Sequence, residues 1–174
     1  MLLPAVERLT AGIEQMKQRV AQANAETVRK VRAGTKAVFE NLVPSLELDI
    51  TCDEPETLGE NGAQFAVRSA TGGSTWRSGL SELSGGQRTL LNLALLLSIA
   101  QHRARPSMLL CMDEVDAALD ESNAARVAAL LKQIAKQSQV IAISHRAEFQ
   151  RAADHLVRLA KSADGHTVVV AGRS

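Results

Sequence analysis

Three small groups of residues in this sequence have the types and spacing that chemistry needs. The first is Ser84-Gly85-Gly86-Gln87, set just before the apolar run Leu90 to Leu97. Paired glycines let another group approach the backbone closely. A helix beginning at Gln87 directs its first, unpaired amides outward, and a phosphate is their natural partner. Ser84 can serve as cap and as added ligand. Taken alone, the same residues also describe an ordinary capped helix. The second group, Asp113-Glu114, ends the apolar run Met108 to Met112. Adjacent strand residues point to opposite faces, so one carboxylate can organise Mg²⁺ while the other orients or deprotonates a water. Magnesium takes hard oxygen ligands, several of them from phosphate and water. An apolar strand ending in paired acids is expected in nucleotide hydrolases, although two solvated charges would look the same. The third is His145, directly after the apolar "VIAIS". A strand end suits a polar group that reaches a phosphate or a water. A structural, hydrogen-bonded histidine is the alternative. His102, His155 and His166 have no such setting.

These groups need elements to hold them. Met108 to Met112 and "QVIAIS" read as strands buried on both faces. The intervening "ESNAARVAALLKQIAK" places Ala124, Val127, Ala128, Leu131 and Ile134 on one helical face. "RAEFQRAA" reads as a short helix, and "HLVRLAKSADGHTVVVA" as two strands around an Asp164-Gly165 turn. Strands alternating with helices predict an α/β layer. Upstream, Leu46, Leu48, Ile50 and Cys52 alternate with polar neighbours, as do Ala63, Phe65 and Val67. They predict an antiparallel pair beside the main domain, with "ATGGSTWRSG" as a loop. Leu2, Val6, Leu9, Ile13, Met16, Val20, Ala23 and Thr27 recur at alternating fours and threes. That is the seam of a coiled coil, or the apolar stripe of one helix packed on the domain. The helix begins near Pro4, runs to about Phe39 and stops before Pro44.

Composition narrows the function. Hydrophobic residues make up 45% and aromatic ones 2%, so the core is Leu, Ile, Val and Ala. The aromatic deficit argues against a base-stacking platform for single strands. With 20 basic and 19 acidic side chains there is no global pull toward nucleic acid. Cys52 and Cys111 are expected to be reduced core residues, and no Cys–His cluster has zinc spacing. Leu90 to Ala100 is interrupted by Asn92 and Ser98 and is about half a membrane span. No signal-peptide pattern is present. A soluble intracellular protein with no membrane partner is the expectation.

As a set, the motifs resemble a known family. "LSGGQ", Leu83 to Gln87, matches the signature of ABC-type ATPases. "MLLCMDE" looks like their Walker B strand, Ala118 to Asp120 like their D-loop, and His145 like their switch histidine. "DEVDAALD", with Val115 and Asp116 where transporter subunits usually carry a proline and a small polar residue, narrows the likeness, as does "WRSGLSELSGGQRTLLNLAL". Both resemble the structural maintenance of chromosomes (SMC) family, in the carboxy-terminal half of its ABC-type ATPase head. The likeness implies an α/β, P-loop NTPase-like head half, with residues 1–39 as the end of a coiled-coil arm and 40–174 as the carboxy-terminal lobe. It implies ATP and Mg²⁺ as cofactors. Ser84, Gly85, Gly86 and Gln87 would close over a γ-phosphate held by an opposing head. Asp113 would support Mg²⁺, Glu114 would be the catalytic base, Asp120 would couple two composite sites and His145 would sense the γ-phosphate. Arg88 and Arg146 are interface candidates or ordinary surface charges.

No G-x-x-x-x-G-K-[ST] run occurs in the chain, and Gly72-Gly73-Ser74 lacks both lysine and spacing. In the family that loop lies in the amino-terminal half of the head, so the chain is expected to be a fragment or a split half. The implied partners are that P-loop-bearing half, a second head, a kleisin-like bridging subunit and the DNA backbone. The implied location is the chromosome, in a nucleus or, for a prokaryote, at the nucleoid. A DNA-repair ATPase with arms, a transporter subunit and a nonenzymatic partial homologue are the competing readings. The preceding heptads and "DEVDAALD" argue against the transporter.

Overall fold

A computed structural model describes residues 3–54, 58–72, 75–102 and 109–172. The chain divides into two compact units, Met1–Pro106 and Ser107–Ser174.

The first unit opens with helix α1 (Leu3–Leu42). Its end buries Thr35, Phe39 and Leu42, where the helix meets both a sheet and a second long helix. Its beginning is bare. Val6, Leu9, Ile13, Met16 and Val20 are 51–70% exposed, so the reading of one helix packed along its whole stripe fails here. Leu2 lies outside the described residues. The chain turns out of α1 through Val43, whose amide donates to the Phe39 carbonyl at 2.7 Å. It then forms β1 (Leu46–Thr51), the short α2 (Leu58–Asn61), β2 (Gln64–Ser69) and β3 (Arg77–Ser78), an antiparallel sheet in the order β1-β2-β3. Leu48 and Ile50 point inward as the alternation predicts, with Val67 beside them. The expected loop over Ala70 to Gly79 is shorter than predicted, because Arg77 and Ser78 pair with Val67 and Ala66. The Arg68 guanidinium lies 4.6 Å from the Trp76 ring centre and anchors that approach. Gly73 and Ser74 are outside the described residues.

Helix α3 (Gly85–His102) buries Leu90, Leu91, Leu93, Ala94 and Leu97. Where it crosses α1, a Cβ on Gly34 would come 2.4 Å from Ser98 Oγ. Only glycine allows the two helices so near, and the Ser98 hydroxyl donates to the Val31 carbonyl at 3.1 Å across the contact.

In the second unit, β4 (Leu109–Asp113) and β5 (Gln139–Ile143) run parallel, joined through α4 (Glu121–Ile134). This is the βαβ unit that strand–helix alternation predicts. Met108 lies outside the described residues. The expectation of strands buried on both faces is not met. Met112 is buried, but Leu109, Cys111, Asp113, Ile141 and Ile143 are exposed. Cys111 pairs with Ile141 and Asp113 with Ile143 in register, and alternation puts these side chains on one face. Among the described residues that face is exposed to solvent. Cys111 is therefore an exposed free thiol rather than a core residue, and Cys52 is half-buried.

Helix α5 (Ala147–Ala152) packs on α4, and Val127, Ala128, Leu131 and Phe149 are buried in this unit. Lys132 on α4 bonds Asp154 at 2.5 Å and holds its carboxyl below the usual aspartate range. The hairpin of β6 (Leu156–Lys161) and β7 (Thr167–Gly172) closes the chain. Gly165 stands at φ 79 in its turn, as the Asp164-Gly165 pair predicts.

Candidate functional site

The predicted residues fall on both units, and each group has its own geometry. In the first unit, Leu83 is buried and fixes the approach to α3. Ser84 Oγ then accepts the Gln87 amide at 3.2 Å, while Gln87 Oε1 accepts the Ser84 amide at 2.9 Å. This reciprocal pair is a capping box. It moves the helix start from Gln87 to Gly85 and puts both glycines in the first turn. There a glycine costs about 1 kcal/mol of helix propensity against alanine. Nothing lies within 4 Å of a Cβ built on Gly85. The chain itself gives no reason for that glycine, and the turn stays open to an approaching group.

In the second unit, Asp113 ends β4 on the uncovered face, and the chain then breaks sharply. Glu114 has φ 46 and is the one residue other than glycine with a left-handed backbone among the described residues. A non-glycine residue there carries about 1–3 kcal/mol of strain, kept where surrounding structure enforces it. The enforcement is visible. The Glu114 amide donates to the Ile143 carbonyl at 3.0 Å, extending the β4–β5 ladder by one bond. This turns the carboxylate toward His145, whose Nε2 donates to Glu114 Oε1 at 3.1 Å. The two side chains are 53% and 89% exposed, so both remain accessible to a ligand. Asp120 caps α4, accepting the Asn123 amide at 2.8 Å.

Asp116 and Ser144 carried no site reading of their own, and Arg146 was read only as an interface candidate or an ordinary surface charge. Asp116 is 3% exposed. Its Oδ2 accepts the Ser144 hydroxyl at 2.6 Å and lies 3.8 Å from Arg146 Nε. Arg146 also donates to the Leu119 carbonyl, so it is engaged inside this unit. An acid two places beyond the paired carboxylates, opposite a Ser-His-Arg run, was the available signal.

A magnesium ion fits the donor set in part. Asp113 offers one exposed carboxylate. No group of three His, Cys, Asp or Glu suited to a metal occurs among the described residues. Magnesium commonly uses one or two carboxylates and completes its shell with phosphate and water, so Asp113 suffices for that mode. No helix among the described residues is long and apolar enough to cross a membrane.

A signature-type turn and a carboxylate–histidine pair at the ends of parallel strands are features of one class of protein. The RecF/RecN/SMC N terminal domain family model matches residues 10–168, and the chain belongs to that family. Chromosome partition protein Smc of Mycobacterium tuberculosis (strain ATCC 25618 / H37Rv) is 34% identical over 165 residues, covering 95% of this chain and 13% of that protein. Structural maintenance of chromosomes protein 2 of Homo sapiens is 34% identical over 137 residues, covering 79% of this chain and 11% of its own length. The chain thus spans a small part of these relatives. Among solved structures, the Smc head domain with an extended coiled coil from Pyrococcus furiosus, bound to the C-terminal domain of ScpA, superposes with a TM-score of 0.81. It is 26% identical, with 96% of this chain and 40% of that one covered. The fold is the mixed α/β fold of SMC heads.

Proposed function

We propose that this chain is the carboxy-terminal half of an SMC-type ATPase head. Joined to a P-loop-bearing half, it binds and hydrolyses ATP, and the cycle engages and releases two heads in organising chromosomes. The observation that carries this reading is the Glu114–His145 pair, 3.1 Å apart at the ends of neighbouring parallel strands. In this reading the phosphate cradle belongs to the other half, since the 174 residues hold no P-loop run.

In this reading one Glu114 oxygen is held by His145, and the other is free to accept a proton from a water. That water, made more nucleophilic, attacks the γ-phosphorus as its bond to the bridging oxygen breaks, and ADP leaves with phosphate. His145 keeps the carboxylate oriented and reaches the phosphate edge. Asp113 would hold Mg²⁺, which when bound would neutralise phosphate charge. The open α3 turn at Ser84-Gly85-Gly86-Gln87 closes over a nucleotide carried by a second head. The bare seam from Val6 to Val20 takes a returning arm helix, which makes residues 1–39 the end of a coiled coil. A kleisin-like subunit bridges the heads, as suggested by the ScpA domain on the Pyrococcus furiosus head. DNA is met through its phosphates without sequence readout. The location is the chromosome, in keeping with both relatives' names.

The isolated chain is expected to show no ATP turnover, and co-expression with the P-loop-bearing half restores it. In that assembly Glu114→Gln lowers kcat by about 10²–10⁴-fold while ATP binding and head engagement persist. Turnover by the chain alone, or undiminished kcat in the variant, would falsify the assignment.

A further inference from the structure

The pair Glu114–His145 cannot hold its own geometry. Both side chains are mostly exposed, and a contact between two solvated groups fixes little. The order must come from what lies beneath. Four successive residues, Ile143 to Arg146, each bond the segment Glu114 to Leu119. The Ile143 carbonyl accepts the Glu114 amide at 3.0 Å. Ser144 Oγ donates to Asp116 Oδ2 at 2.6 Å. His145 meets Glu114. Arg146 pairs with Asp116 at 3.8 Å and donates to the Leu119 carbonyl. Ser144 Oγ also accepts the Arg146 amide at 3.0 Å, which fixes the bend after β5. Asp116 is the hub and is almost wholly buried. A buried charge keeps its place when paired and fully hydrogen-bonded.

We propose that Ser144, Asp116 and Arg146 are positioning residues, a clamp that locks the turn bearing Glu114 and the strand end bearing His145 into one body. The clamp rests on the hydrolase reading for its purpose, but its mechanical part does not. Ala117 and Leu119 close two successive turns, their amides donating to the Glu114 and Asp116 carbonyls at 3.1 Å. Those turns carry Glu114 at one end and lead to Asp120, the α4 cap, at the other. Loosening Asp116 therefore frees the base and the D-loop residue together. Arginine is required because one planar fork reaches both the Asp116 carboxylate and the Leu119 carbonyl, a geometry that lysine lacks.

The test has two arms. In the first, amide hydrogen exchange is followed in the 174-residue chain carrying Ser144→Ala or Arg146→Ala. Exchange at Ala117 and Leu119 is expected to rise by about tenfold or more, with Ala124 to Leu131 still protected. Unchanged exchange at both amides in both variants overturns the clamp. Ser144→Ala removes only a hydroxyl, so it remains informative if an Asp116 or Arg146 variant fails to fold. In the second arm, ATP hydrolysis is measured on the head assembled with its P-loop half. Ser144→Ala and Arg146→Lys are expected to lower kcat at unchanged KM. Each loss should be smaller in a His145→Ala background, because part of it acts through that histidine's pairing with Glu114. Losses that multiply in the double variants overturn the positioning role. An assembled native head that turns over no ATP removes the hydrolase reading, and the exchange arm alone then decides the clamp.

Discussion

Glu114 concentrates the tension between stability and chemistry in a single residue. Its left-handed backbone, φ 46, suits glycine, and its carboxylate is the base in the proposed mechanism. Glu114→Gly is therefore expected to raise unfolding stability by up to about 1 kcal/mol while abolishing turnover in the assembled head. Urea unfolding and an ATPase assay check the two halves, and a destabilised variant would show that the backbone is not strained. The paired acids were legible because they end an apolar run, and so was His145 after another. The strain on Glu114 was not, since no local sequence feature specifies it. It arises when the Glu114 amide is drawn to the Ile143 carbonyl, a contact 29 residues away in sequence that only strand pairing creates. Asp116 stayed hidden for a similar reason: its partners Ser144 and Arg146 reach it only once β4 and β5 lie side by side.

At the scale of elements, α1 holds two glycines with opposite consequences. At Gly34 an added methyl meets Ser98 Oγ at 2.4 Å in the crossing with α3. Gly34→Ala should cost about 1–3 kcal/mol through overpacking, read by thermal or urea unfolding. At Gly12 nothing lies within 4 Å, so Gly12→Ala should raise helicity in circular dichroism, with a gain of about 1 kcal/mol in local propensity. Equal effects at the two sites would contradict the close crossing. The periodicity of the stripe from Leu2 to Thr27, bounded by Pro4 and Pro44, revealed α1 to within a few residues. It could not say what covers the stripe, since a coiled-coil seam and a core-facing face share a spacing. The beginning of α3 was misplaced by two residues. The glycines suggested a loop, whereas the Ser84–Gln87 capping box supplies the hydrogen bonds that let a helix start across them.

For the molecule as a whole, the strands of the second unit carry the lesson. Continuous apolar runs marked β4 and β5 correctly as strands, yet one face of the pair is bare at Leu109, Cys111, Ile141 and Ile143. Apolar side chains give a strand the capacity for burial, and burial was inferred from that capacity alone. The Cys111 thiol reports on this directly. In a Cys52→Ser background, a maleimide is expected to modify Cys111 readily in the chain alone and about tenfold or more slowly once the P-loop half has joined. Equal labelling rates would mean that the complement covers another face. The β6–β7 hairpin adds Val157, Leu159 and Val169 to the exposed apolar surface.

Exposed apolar faces of this kind invite contact with other chains. On the head-half reading proposed above, a cell making this polypeptide without its complement would accumulate a sticky orphan, a client for chaperones and a seed for inclusion bodies. Balanced dosage of the two halves, or their synthesis on one ribosome, then becomes a requirement of solubility as much as of catalysis.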